Sequence, residues 1–153
     1  MHIATYLGLL HRAEMDLADG FRQVAEGHAA EPDVYYLCHT LAKQCEAHVE
    51  VIKPFAEKYG EESPEEPDRL RHDFFAGGTR EGGLGLLRGL QDLFMMAQEV
   101  QISQSMIGQA AEGLRDLEMD AAIDDCTERT STQIKWLRTR MKQAAPQTLL
   151  VAS

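Results

Sequence analysis

Apolar positions recur at alternating three- and four-residue steps over four long stretches of this 153-residue chain. That spacing marks one face of an α-helix. The first stretch covers about residues 2–28, with the seam Ile3, Leu7, Leu10, Glu14, Leu17, Phe21, Val24, His28. The second covers about 33–59, with Val34, Leu37, Leu41, Cys45, His48, Ile52, Phe55, Tyr59. The third covers about 83–113, with Leu86, Leu90, Leu93, Ala97, Val100, Gln104, Ile107, Ala111 and Leu114, flanked by Leu87, Phe94, Gln101 and Gly108. The fourth covers about 117–145, with Met119, Ile123, Cys126, Thr130, Gln133, Leu137 and Met141. No stretch alternates with the period of a strand.

The boundaries carry their own signals. Pro32 and Asp33 suit a helix start, Asp116 suits an N-cap, and Gly60 suits a C-cap. Pro54 predicts a kink rather than a stop, because the apolar rhythm continues through it, whereas Pro146 predicts the end of the fourth helix. Leu149, Leu150 and Val151 beyond it either tuck against the bundle or serve a contact. Between the second and third stretches lies a connector, polar and proline-broken from Glu61 to Pro67. A short helix is predicted over 68–76, with Leu70, Phe74 and Phe75 packing down. Gly77, Gly78, Gly82, Gly83 and Gly85 lack the strand context of a phosphate-binding loop, so they predict a hinge or close packing. Gly89 and Gly108 predict close approach of a neighbouring helix.

Helices of this length extend roughly 40 Å at 1.5 Å per residue. Short first and third loops pair helix one with two and three with four, antiparallel. The long connector can then return along the bundle. The expected fold is all-α: a single four-helix bundle of two antiparallel hairpins joined by a long crossover.

Stacking the four seams brings polar residues to one depth. Helix one supplies Glu14, helix two Cys45 and His48, helix three Gln101 or Gln104, and helix four Thr130 and Gln133. A buried carboxylate is costly unless partnered, so this layer is either a hydrogen-bonded network that fixes register or a ligand site. Glu14, Cys45 and His48 form the candidate metal set, a thin one for two metals. Glu46, Glu50 and Glu99 fall a step off the seam, and a small rotation would bring Glu46 or Glu99 inward. Thr130 can alternatively return its hydroxyl to a carbonyl one turn back. A thiolate pair of Cys45 with His48 lacks a third orienting group. The methionines at 95, 96, 106 and 119 read as packing residues, not haem ligands. A small ligand would require a cavity between Glu14, Gln101 and Gln133.

Composition narrows the partners. A net charge of −10 disfavours nucleic acid and anionic membrane. Three cysteines, Cys38, Cys45 and Cys126, all in apolar segments, do not form a disulfide framework. With no apolar run near 18 residues and no secretory pattern at the N-terminus, a cytoplasmic protein is expected.

The arrangement resembles the ferritin-like superfamily, in particular its small bacterial stress-associated members. The resemblance rests on the architecture, on Glu14, on Cys45-Glu46-Ala47-His48, and on Gln133-Ile134-Lys135-Trp136-Leu137 in the closing helix. Metal-bearing members place a Glu on helices one and three and Glu-x-x-His on helices two and four. Here Glu14 matches the first Glu and His48 the first His, while Cys45 stands in a Glu position. Gln101 or Gln98 stands at the third Glu, and Thr130-Ser131-Thr132-Gln133 replaces the last motif. An intact member would imply ferroxidase, peroxidase or iron-storage activity. This chain is expected to lack a di-iron centre, with a structural or stress-related role and a side-by-side homodimer. A metal-dependent (iron, manganese or zinc) oxidoreductase is the alternative.

Overall fold

The computed structural model describes residues 2–60, 74, 75 and 77–151. Four helices dominate it: α1 (Ile3–Gly27), α2 (Pro32–Lys58), α3 (Gly82–Leu114) and α4 (Leu117–Pro146). Each agrees with its predicted stretch to within a residue. Pro32 occupies the first turn of α2, where its missing N–H has no helical partner to lose. The helix runs through Pro54 to Lys58, as its uninterrupted apolar seam requires. Gly60 then adopts a φ of 99°, the left-handed geometry expected just past a helix end.

The end of α3 has no glycine in its left-handed turn. It passes Gly113, and Arg115 takes the left-handed position at φ 55° instead of a glycine. Two bonds close the turn, Arg115 N–H to the Glu112 carbonyl and Asp116 N–H to the Ala111 carbonyl. Pro146 also does not end the helical path. It is the last residue of α4, and the chain continues as a π-helical turn, α5 (Gln147–Val151). Proline removes one N–H from the ladder, and the wider π turn is one way the backbone continues past that gap. Leu149, Leu150 and Val151 are left largely exposed.

The bundle is a square in which every neighbouring pair of helices is antiparallel. α1 packs on α2 and α3, and α4 packs on α3 and α2. Tyr59, at the end of α2, bonds Asp116 at the start of α4. Arg140, near the end of α4, bonds Asp33 at the start of α2. Thr79 bonds the Gln23 carbonyl near the end of α1. The connector therefore leaves one end of the bundle at Tyr59 and reaches the other by Thr79, which is the expected long crossover. Most of the expected short helix at 68–76 lies outside the described residues. Phe75, at its edge, is buried in the core, and Phe74 packs against it.

The α1–α3 interface is close because small residues face large ones across it. A Cβ at Gly20 would stand 3.0 Å from Leu93 Cδ2, and one at Gly89 would stand 3.2 Å from Val24 Cγ2. Gly108 has no such role, since a Cβ there would meet Ile123 at an ordinary 3.8 Å. The α2–α4 interface is instead joined by polar bonds at its ends. Asp116 caps α4 by accepting the Met119 N–H at 3.0 Å, and takes the Lys58 ammonium at 2.8 Å and the Tyr59 hydroxyl at 2.5 Å.

Those bonds define a pH dependence. The hydrogen bonds from Lys58, Tyr59 and the Met119 N–H hold the Asp116 carboxyl at about 2, below the usual value of about 4. The folded value is the lower one, so the stabilisation is complete above the unfolded pKa and is lost as pH falls from about 4 toward 2. Asp116→Asn should flatten this part of the acid limb in urea titrations at stepped pH. A limb of unchanged shape would mean that Asp116 contributes none of it.

Candidate functional site

A layer of buried polar side chains crosses the middle of the bundle. Each helix delivers its residue from a seam position otherwise filled by Leu, Ile or Val, so helical spacing alone aims it inward. Glu14, Cys45, His48, Gln104 and Thr130 have no exposed surface, and Gln133 has 1%.

The directions of the hydrogen bonds follow from what each group can donate. A carboxylate only accepts. His48 therefore donates Nδ1–H to Glu14 Oε1 at 3.0 Å. The Gln104 amide donates Nε2–H to the same oxygen at 3.3 Å, and to Thr130 Oγ1 at 3.1 Å. Thr130 can accept because its own hydrogen goes to the Cys126 carbonyl, 3.0 Å away. It thus makes the local return bond and also joins the network, where sequence suggested one or the other. Gln133 donates to Gln44 Oε1 at 3.1 Å and toward Cys45 Sγ at 3.8 Å.

Four buried atoms in this layer are left without a hydrogen-bond partner: Glu14 Oε2, His48 Nε2, Gln104 Oε1 and Gln133 Oε1. There is one from each helix. Three are oxygens and one is a ring nitrogen, in a setting where buried polar atoms are nearly always paired.

The structure separates the sequence candidates. Glu14, His48, Gln104 and Thr130 form one connected chain of bonds, and Cys45, whose thiol lies against Glu14, links that chain to Gln133. Gln101 does not belong to the centre. It is half-buried and donates to Ser131 Oγ at 2.9 Å, because a step of three residues from Gln104 rotates it toward the edge against α4. Glu46 and Glu50 are exposed, and Glu46 pairs with Arg22 instead of turning inward. Gln44, which orients Gln133, was not foreseen. It lies off the α2 seam, and only its place one residue before Cys45 could have flagged it. Among the described residues, no group of three or more His, Cys, Asp or Glu side chains is placed to hold a metal ion.

The thiols are unsuited to nucleophilic work. Burial pushes Cys45 well above its ordinary range, and the nearby Glu14 carboxylate pushes the same way. Burial likewise raises Cys38 to about 12 and Cys126 to about 11. All three stay protonated near neutrality, and the thiolate is the reactive form. An apolar recess lies elsewhere. It is a notch of about 350 Å³ lined by His2, Ile3, Tyr6, Met106, Ile107 and Ala110.

No protein-family model, curated protein or solved structure matches the chain.

Two outcomes follow from this geometry. Glu14→Ala or His48→Ala strands a buried partner and should cost about 3–5 kcal/mol in urea unfolding. Replacing both with apolar residues (Glu14→Met with His48→Leu) should cost less than either single change. Additive losses would mean that the two side chains do not act as a pair. Separately, a thiol reagent should label none of the three cysteines until denaturant unfolds the chain, and rapid native labelling of Cys45 would contradict its burial.

Proposed function

We propose that this chain is a ferritin-like bundle without a two-metal centre, in which the polar layer fixes helix register and performs no redox chemistry. One observation carries the reading. Glu14 is the single carboxylate in the layer, and its Oε1 is already shared by His48 and Gln104. Two bridged irons require several anionic ligands. Neutral Gln104, Thr130 and Gln133 stand where further carboxylates would be needed, and Cys45 carries its proton. The donor set does not fit a di-iron group. A network of this kind acts by specificity, since sliding any helix by a turn separates Glu14 from its partners in an interior closed to bulk solvent. A stress-associated role exerted through assembly, without catalysis, is what the resemblance adds.

A second reading is favoured by the four unpartnered polar atoms. A single cation could satisfy them, with Glu14 and His48 as its strongest ligands. Water molecules donating to the same atoms would serve the structural reading equally well.

Metal analysis separates the two. The protein is purified without chelators from medium containing iron, manganese and zinc. The structural reading expects far less than one metal per chain and a melting temperature unchanged by a chelator. Stoichiometric metal that disappears in Glu14→Gln and His48→Gln would overturn it in favour of the cation.

A further inference from the structure

The outward face of α3 differs from those of α2 and α4. α2 shows solvent Lys43, Glu46, Glu50, Lys53 and Glu57, and α4 shows Asp124, Asp125, Glu128, Arg129, Lys135 and Arg138. Along α3 the corresponding line is Gln91, Met95, Gln98, Ile102, Ser105 and Gln109. It carries no charge over about 27 Å at 1.5 Å per residue, and Glu99 lies a step off it. Met95 is 46% exposed, Ile102 57% and, just beside the line, Met106 44%. In a chain with 26% charged residues, a helix face of this length and composition suits burial against a partner.

We propose that this face is the contact between two copies of the chain, with the two α3 helices crossing antiparallel about a two-fold axis near Val100 and Gln101. Three features favour a second copy as the occupant. First, the charges that close the line are complementary under that axis. Arg88, which also donates to Gln91 and stands 3.8 Å from Asp92 of its own helix, and Glu112 at the other end are both exposed and stand equally far from residue 100, so each Arg88 reaches the level of Glu112 of the second copy. A two-fold contact must be self-complementary in this way, and an unrelated partner imposes no such symmetry. Second, two copies each carrying −10 repel over most of their surfaces, and approach costs least along an uncharged face. Third, the same axis sets Met95 at the level of residues 105 and 106 of the second copy. Beside that level lies the apolar notch lined by Ile3, Tyr6 and Met106. Methionine is a flexible filler of such recesses, and the symmetry supplies two knobs and two notches.

Sedimentation equilibrium of the full chain, from micromolar to millimolar protein, tests this. The wild type should pass from monomer to dimer. Ile102→Lys should weaken dimerisation roughly tenfold or more by burying an unpaired charge at the axis. Its circular dichroism should be unchanged, since Ile102 is 57% exposed and lies outside the buried core cluster of the described residues. Glu112→Arg should also weaken the dimer by opposing two arginines, and adding Arg88→Glu should restore it with the monomer's circular dichroism and melting temperature unchanged, because Arg80 still holds Asp92. A monomer at every concentration would overturn the proposal and leave the face to a different protein. A dimer indifferent to Ile102→Lys would place the interface elsewhere, and a charge swap without recovery would reject the antiparallel pairing; either overturns it.

Discussion

A carboxylate sealed from water has to find its hydrogen-bond donors inside the protein, and those of Glu14 come from other helices. His48 on α2 and Gln104 on α3 both donate to one of its oxygens, and Gln104 carries the connection on to Thr130 on α4. Apolar packing alone tolerates sliding and rotation of helices at modest cost. A buried charge does not, because a lost partner leaves a group that the interior cannot solvate. The relative heights of four helices are therefore tied to one side chain.

The rest of the bundle divides its labour around that point. On the α1–α3 side, glycine opposite leucine and valine brings the backbones close, and Gln104 adds a polar bond to Glu14. On the α2–α4 side, polar bonds do the joining: Lys58 and Tyr59 to Asp116 at one end, Gln44 to Gln133 in the middle, and Asp33 and Glu31 to Arg140 at the other. The first kind of contact resists volume changes and the second resists changes of register and pH. The outward side of α3 belongs to neither. Among the described residues it carries half-exposed Met95, Ile102 and Met106, and it lacks the charges that line the outward faces of α2 and α4.

The chemistry of the layer is constrained by what surrounds it. Burial holds the Cys45 thiol in its protonated form, so it offers neither a nucleophile nor an anionic ligand. The glutamines and the threonine hydroxyl contribute dipoles without charge. What remains is one carboxylate, one imidazole and several unpartnered polar atoms, an arrangement suited to holding water or one cation and poorly suited to balancing the charge of two metals.

By itself the sequence determined the four helices, their antiparallel pairing, the crossover and the depth at which Glu14, His48, Thr130 and Gln133 would meet. Those properties follow from helical period and loop length, which are local. Only the tertiary structure decided which glutamine of α3 enters the centre. Gln101 and Gln104 are three residues apart, and a rotation of one step exchanges them; contact with Glu14 selects Gln104. That selection depends on contact between helices distant in sequence, which helical period and loop length do not encode.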